Sequence, residues 1–183
     1  MSMFCYQCQE TAKNEGCTAQ GICGKNAETA NMQDMLIFAL RGVAVYHERL
    51  KELGLQRNGL GRFVTEALFT TVTNVSFDVD KDAEMVEKAL ALRDELRDLL
   101  TAKTGAAATV GLPEAALWSG TKDSYAAKAA TVGVMATENE DIRSLRELLM
   151  YGLKGMAAYA HHALVLGYEK DEIHDFLLEG LAA

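Results

Sequence analysis

Four cysteines near the start of the chain are the residues whose type and spacing could do chemistry. Cys5, Cys8, Cys17 and Cys23 follow the pattern C-x2-C-x8-C-x5-C, and the 183-residue sequence contains no other cysteine. A C-x2-C pair places two sulfurs on one tight turn, where both can face the same ion or cluster edge. Four thiolates can cap the four irons of a cubane or surround one zinc ion. The pattern therefore predicts a metal centre on these cysteines.

The gaps between the cysteines favour an iron–sulfur cluster over zinc. Structural zinc sites usually repeat a short two-cysteine knuckle, whereas clusters tolerate uneven loops with several free backbone N–H groups. Gly16, Gly21 and Gly24 flank Cys17 and Cys23, and glycine permits close backbone approach and N–H hydrogen bonds to sulfur. A structural zinc ion, a disulfide or free thiols remain the alternatives.

Composition and the N-terminal sequence limit the partners and the cellular location that we expect for this protein. The formal net charge of -8 argues against a surface for nucleic acid or anionic membrane. The N-terminus lacks a basic region followed by an apolar run, and no run of about eighteen uncharged apolar residues occurs. We therefore expect a cytoplasmic protein with neither a nucleic-acid nor a membrane partner. Thiols stay reduced in the cytoplasm, which favours metal or redox chemistry over a disulfide framework.

Helices must position the cysteine segment, because apolar residues recur at three- and four-residue steps through most of the chain. The pattern predicts helices from Met32 to Leu53, from near Gly61 towards Phe77, after an acidic cap at Asp80 or Asp82, from Tyr125 to Met135, from near Glu138 to Gly167 behind a Thr137/Glu140 capping box, and from near Asp171 onwards. We predict an all-α fold of two related helical bundles with an N-terminal cysteine-rich, cluster-binding loop.

This interpretation divides the chain into four parts. Residues 1–27 form the cluster-binding segment, residues 28–104 a first three-helix bundle, residues 105–121 a connecting segment, and residues 122–183 a second helical bundle.

An internal repeat supports the two bundles. Residues 36–54 align without a gap on residues 149–167, with identical residues at seven positions including Tyr46 and Tyr159, and the same offset matches Phe63 with Phe176. The first copy continues into a third helix, whereas the second stops early in its second helix. We therefore expect a truncated second bundle, or one that borrows the missing helix from a partner.

The histidines and the aspartates outside the cysteine segment are not expected to bind a metal ion. The four histidines, His47, His161, His162 and His174, are expected to be surface or packing residues, since His161 and His162 are adjacent and point about 100° apart on a helix. The run from Asp78 to Asp82 opens like a calcium loop, but Ala83 stands where such a loop needs glycine. That run is predicted to cap a helix.

A long motif closely resembles the N-terminus of hybrid cluster proteins, also called prismane proteins or hydroxylamine reductases. It comprises Met3-Phe4-Cys5-Tyr6-Gln7-Cys8-Gln9-Glu10-Thr11-Ala12-Lys13, Gly16-Cys17 and Gly21-Ile22-Cys23-Gly24-Lys25, and the likeness continues through Leu40-Arg41-Gly42 to Ala136-Thr137-Glu138-Asn139-Glu140-Asp141. The resemblance covers essentially the whole chain. Carbon monoxide dehydrogenases are similar in overall architecture, but their opening motif differs.

The resemblance implies a [4Fe–4S] cluster with Cys5, Cys8, Cys17 and Cys23 as one ligand each, because this short spacing resembles that of forms from strict anaerobes. In that family two further α/β domains hold a hybrid iron–sulfur–oxygen cluster, where hydroxylamine or nitric oxide is reduced. A chain with no fifth cysteine cannot build that second cluster. The isolated chain is therefore expected to transfer electrons and to lack reductase activity.

The same resemblance implies two partners, the remaining domains of the parent protein and an electron donor protein. A chain separated from its docking domains is also expected to expose apolar surface, through which it can bind a second copy. Two other interpretations stay open. One is a zinc-binding helical interaction module without redox activity, and the other is a complete small electron carrier that never had a larger parent.

Overall fold

The computed structural model describes residues 3–105 and 109–183, most of which are helical. In these ranges the α-helices are α1 (Ala27–Glu52), α2 (Leu60–Thr70), α3 (Val79–Thr104), α4 (Glu114–Leu117), α5 (Lys122–Val132), α6 (Glu140–Val165) and α7 (Asp171–Ala182). Short 3-10 turns lie at Ala12–Asn14 and Val134–Ala136. The described residues contain no β-strand beyond one isolated bridge. The predicted all-α fold is confirmed.

The largest errors in the predicted helix ends concern α1 and α2. Helix α1 starts several residues before Met32, because the Asn26 side chain accepts a hydrogen bond from the Thr29 N–H (2.8 Å) and caps it. Helix α2 stops at Thr70 and does not approach Phe77. The hydroxyls of Thr70 and Thr71 bond back to carbonyls one turn earlier, and such bonds compete with a continuing helix.

Two predicted caps were also wrong, each by a few residues. The prediction that the run from Asp78 to Asp82 caps a helix is confirmed, but the capping residue of α3 is Asp78, whose carboxylate accepts from the Lys81 N–H at 3.1 Å, and neither Asp80 nor Asp82 takes this role. The cap of α6 is Asn139, which accepts from the Ile142 N–H at 3.0 Å, so the Thr137/Glu140 capping box does not form. Several cap-forming residues precede each helix, and spacing alone does not choose among them.

The helix bounds of the structure agree with the internal repeat. Helices α1 and α6 have the same length, and the alignment that matches residues 36–54 with 149–167 also matches their first and last residues. Both helices have an asparagine cap, and each is followed by a glycine with positive φ, Gly54 and Gly167.

The two repeats share one hydrophobic core. Buried residues of α1, α2, α3, α6 and α7 belong to one cluster, in which α1 packs most extensively on α3 while α6 packs on α2. Trp118 lies against Phe38 of α1 and Tyr125 of α5 and so attaches the connecting segment to the first helix. The division into two bundles at residues 105–121 stays a prediction.

Candidate cluster-binding site

Backbone pairing brings the first and third cysteines together. Cys5 and Cys17 form an antiparallel bridge in which each N–H donates to the other's carbonyl, at 3.1 and 2.8 Å, and Met3 N–H extends the pairing to the Thr18 carbonyl. Residues opposite each other in such a pair project their side chains to the same side. Cys17 is buried and Cys5 is half-buried, so the pair lies at the edge of the protein interior.

Turns hold the other two cysteines. The Cys8 carbonyl accepts from the Thr11 N–H at 3.2 Å, which starts the 3-10 turn of residues 12–14. Cys23 lies in a turn closed by a hydrogen bond from the Gly21 N–H to the Lys25 carbonyl at 2.7 Å. A Cβ atom on Gly21 would lie 3.1 Å from the Cys23 sulfur and 3.2 Å from the Lys25 carbonyl oxygen, so a side chain there would crowd the turn.

The four cysteines fit the chemistry of an iron–sulfur ligand set in number and type. All four are free thiols within one segment, and three of them are half-buried. The structure places Cys5 beside Cys17, but among residues 3–105 and 109–183 no three or more His, Cys, Asp or Glu side chains form a group that could hold a metal ion.

A buried lysine fixes the turn that carries Cys23. Lys25 is only 2% exposed, and its Nζ donates to the Gln33 side-chain oxygen of α1 at 2.5 Å. Gln33 Nε2 in turn donates to the Asp82 carboxylate of α3 at 3.2 Å, and the Ser76 hydroxyl donates to the same carboxylate at 3.0 Å. Burial raises the pKa of Asp82, although the hydrogen bonds from Ser76 and Gln33 oppose this effect. The network ties the cysteine segment to α1 and α3.

The two residues between Cys5 and Cys8 contact α6. The Tyr6 hydroxyl donates to the Glu147 carboxylate at 3.4 Å. Gln7, with its amide oriented to satisfy both partners, donates to the Thr71 carbonyl at 3.2 Å and accepts from Lys154 Nζ at 2.8 Å. The C-x2-C turn is therefore held by α6 and by the C-terminal end of α2, whereas the Cys23 turn is held by α1 and α3.

A cavity of about 250 Å³ lies behind the C-x2-C turn, between α1 and α6. Its charged lining residues are Asp34, Arg41, Arg146, Glu147 and Lys154. Burial raises the pKa of Asp34 to about 7, and the nearby positive charge of Lys154 opposes this effect. Burial lowers the pKa of Lys154 to about 8, which the Asp34 carboxylate opposes. The cavity thus holds a carboxyl group and an amino group whose pKa values are both shifted towards neutrality.

The histidines take other roles. His161 and His162 pack on the ring of Phe69. His174 shares a hydrogen bond with the Thr65 hydroxyl at 2.8 Å and another with the Glu169 carboxylate at 3.0 Å.

Sequence reasoning missed the positioning network. In the sequence Lys25 stands out only as part of the N-terminal motif, and Gln33, Asp34 and Lys154 belong to no recognisable motif. Gln33 and Asp34 are polar residues on an otherwise apolar face of α1, and this pattern is the sequence signal that could have identified them. Their partners come from distant parts of the chain, so no local spacing reveals the contacts.

Known proteins are similar to this chain along nearly its whole length. The sequence profile of the Prismane/CO dehydrogenase family matches residues 3–183. A hydroxylamine reductase of Nitratidesulfovibrio vulgaris is 55% identical over 185 residues, which cover 99% of this chain and 34% of the relative. A hydroxylamine reductase of Desulfitobacterium hafniense strain Y51 is 50% identical over 184 residues, covering 100% of this chain and 33% of the relative. One of Clostridium novyi is 48% identical with the same coverage.

The chain thus spans about a third of the length of the curated relatives that it matches. No helix in the described part of the chain is long and apolar enough to cross a membrane. The family match covers nearly every residue, from the cysteine segment through both repeats. This chain belongs to the Prismane/CO dehydrogenase family.

Proposed function

We propose that this chain is the electron-transfer part of a longer hybrid cluster protein. In this proposal Cys5, Cys8, Cys17 and Cys23 bind a [4Fe–4S] cluster, which takes electrons from a donor protein in the cytoplasm. The electrons then serve the reduction of hydroxylamine or nitric oxide at a hybrid iron–sulfur–oxygen site in domains outside these 183 residues. The isolated chain would have no reductase activity.

One observation carries the proposal: four free thiols lie in a single N-terminal segment of a chain that matches this family along its whole length. The three relatives reported above are named hydroxylamine reductases, which supports the assignment of the parent's reaction. A cluster bound to the four thiolates would supply reversible one-electron transfer.

The residues around the cysteines suit this role. The bridge between Cys5 and Cys17 fixes two ligands relative to each other, and Lys25 and Lys154 hold the turns that carry the others. Both lysines place a positive charge beside a segment that would carry four thiolates, and opposite charges attract strongly where water is excluded. Cys5, Cys8 and Cys23 are half-buried, which leaves the segment close enough to the surface for a donor protein to approach.

Metal analysis tests the proposal directly. Protein purified without oxygen should contain about four irons and four sulfides per chain and should absorb broadly in the visible range. Cys8→Ser should lose most of the iron, whereas Ile22→Ser, which changes an exposed residue beside Cys23, should retain it. A colourless protein with one zinc per chain would replace this proposal with the interaction module. Metal-free protein with oxidised cysteines would refute both.

A further inference from the structure

The cavity behind the C-x2-C turn is lined by matching positions of the two repeats. The alignment of the repeats places Asp34 of α1 on Glu147 of α6. It also places Arg41 of α1 on Lys154 of α6. All four side chains line this cavity, and so does Cys5 of the turn. Residues two helical turns apart lie on one face of a helix, so each helix presents one acidic and one basic side chain to the same cavity.

Asp34 is the member of this group whose carboxylate is not held by a bond. Within the described ranges it takes part in no hydrogen bond and in no salt bridge. The backbone at Gly133 lies close to it, since a Cβ atom there would be 2.7 Å from Asp34 Oδ2. The buried Asp82 differs, because its carboxylate accepts hydrogen bonds from Ser76 and Gln33. Asp34 can therefore bind a proton without a change in hydrogen bonding, whereas Asp82 cannot.

Four charged side chains act on Asp34 from the elements packed around it. They are Arg41 on α1, Glu147 and Lys154 on α6, and Lys25 in the cysteine segment. Among the described residues, the turn after α5 adds no charged group to the cavity lining. The three cations favour the ionised carboxylate, whereas Glu147 and burial favour the neutral acid. Burial is the largest effect and raises the pKa of Asp34 to about 7, so both forms of the carboxyl group are accessible near neutral pH.

Lys154 connects this carboxyl group with the cysteines. Its Nζ donates to the Gln7 side chain, in the turn between the first two cysteines, at 2.8 Å. Its positive charge acts on Asp34 and also on Cys5. An ionised Asp34 partly cancels that charge, whereas a protonated Asp34 leaves the charge of Lys154 free to act on the cysteine segment. The protonation state of Asp34 thus changes the electrostatic potential at the cysteines.

We propose that Asp34 takes up one proton when a cluster bound to the four cysteines gains one electron. This inference rests on the proposed function, which supplies the cluster and the donor protein. The electron comes from the donor protein, the proton comes from water, and the carboxylate becomes a neutral carboxylic acid. Water has access to the cavity because Arg146 and Tyr151, which also line it, are exposed.

The direction of the coupling follows from charge. An added negative charge favours the more positive form of every nearby group, and at about 10 Å within a protein it raises a proton affinity by about tenfold. Asp34 can respond because both of its forms are accessible, whereas Arg41 keeps its charge at every pH of interest. The reduced protein then binds more protons than the oxidised protein, so the reduction potential should fall as pH rises.

Electrochemical titration of the iron-loaded 183-residue chain tests the inference. The wild-type potential should fall between about pH 6 and about pH 8, by at most about 59 mV per pH unit, the value for one proton per electron. Asp34→Asn resembles the protonated acid and cannot release a proton. It should remove most of this dependence, and its potential should lie above that of the wild type at about pH 8.

Two comparison variants separate Asp34 from its surroundings. Lys154→Arg keeps a positive charge beside Asp34 but cannot lose it near neutral pH, so it should keep the fall in potential. Glu10→Gln removes an exposed carboxylate close to Cys8 in the sequence and is the matched control, which should also keep the fall.

The outcomes distinguish this inference from the proposed function. A wild-type potential that does not change with pH, or a dependence that Asp34→Asn retains, would overturn the inference and leave the cluster proposal intact. Loss of the dependence in either comparison variant would also overturn it, because the proton would then not belong to Asp34 alone. Iron content is measured on every sample, and a chain that binds no iron would overturn the proposed function and this inference with it.

Discussion

A pair of glycine substitutions tests whether matching positions of the two repeats are covered in α1 and open in α6. Gly42 of α1 and Gly155 of α6 align in the repeat and both lie within long helices, so replacement by alanine gains the same helix propensity at each, about 1 kcal/mol. At Gly155 nothing opposes that gain, since no atom lies within 4 Å of the new Cβ. Gly155→Ala should therefore stabilise the chain by about 1 kcal/mol.

Gly42→Ala should do the opposite. Its Cβ would lie 2.1 Å from the Ala115 carbonyl oxygen and 2.8 Å from the carbonyl carbon, which are backbone atoms that cannot rotate away. Overpacking of this kind costs about 1–3 kcal/mol, and contact with a fixed backbone belongs at the upper end. After the gain in propensity, the net effect is a loss of about 2 kcal/mol in the free energy of unfolding.

Chemical denaturation of the full chain measures both effects. The two variants should differ by about 3 kcal/mol, with Gly155→Ala above the wild type and Gly42→Ala below it, and with unchanged denaturant dependence. Metal content should be matched among the samples, because a bound group adds to apparent stability. Equal shifts for the two variants would refute the argument that α1 is covered at this position and α6 is open.

Three further predictions concern charged groups. Lys25→Met should destabilise the chain by about 1–3 kcal/mol and hasten metal loss, because Gln33 and the buried Asp82 lose a charged neighbour; metal release to a chelator measures the second effect. Asp34 has a pKa of about 7 in the folded protein, above its unfolded value, so by linkage the protein loses stability as pH rises towards 7. Asp34→Asn removes this titration. Its stability relative to the wild type, measured in parallel denaturation curves, should therefore increase between about pH 5.5 and 7.5. The hydrogen bond from Arg62 lowers the pKa of Glu169 to about 2, so Glu169→Gln should reduce thermal stability at neutral pH, and the deficit should shrink as pH falls from about 4.5 towards 2.

Much of the fold could be predicted because it depends on local pattern. Apolar residues at three- and four-residue steps predicted every long helix. The alignment of residues 36–54 with residues 149–167 predicted that the two helices are related. The predicted bounds of these helices did not show that they match in length and ends, which the structure does. Helix ends were less predictable. Asn139 and Thr137 are both good cap residues, and the choice between them depends on where the chain turns before α6.

The cysteines could be singled out from their type and spacing, but the side chains that hold the cysteine segment in place could not. Lys25 reaches Gln33 of α1, which reaches Asp82 of α3, and these residues are 8 and 49 positions apart along the chain. A buried lysine has no local sequence signature, since lysine is normally an exposed residue. Tyr6 and Gln7 depend likewise on partners in α6, more than a hundred residues away.

Helix α6 connects the candidate cluster site with the second repeat. Glu147 and Lys154 of α6 contact the C-x2-C turn through Tyr6 and Gln7. Gly155→Ala, which should stabilise α6, would therefore also restrict the movement of the turn between Cys5 and Cys8. A more stable helix opens locally less often. Gly155→Ala should slow metal loss from the cysteines to a chelator, even though its new Cβ atom contacts no other helix.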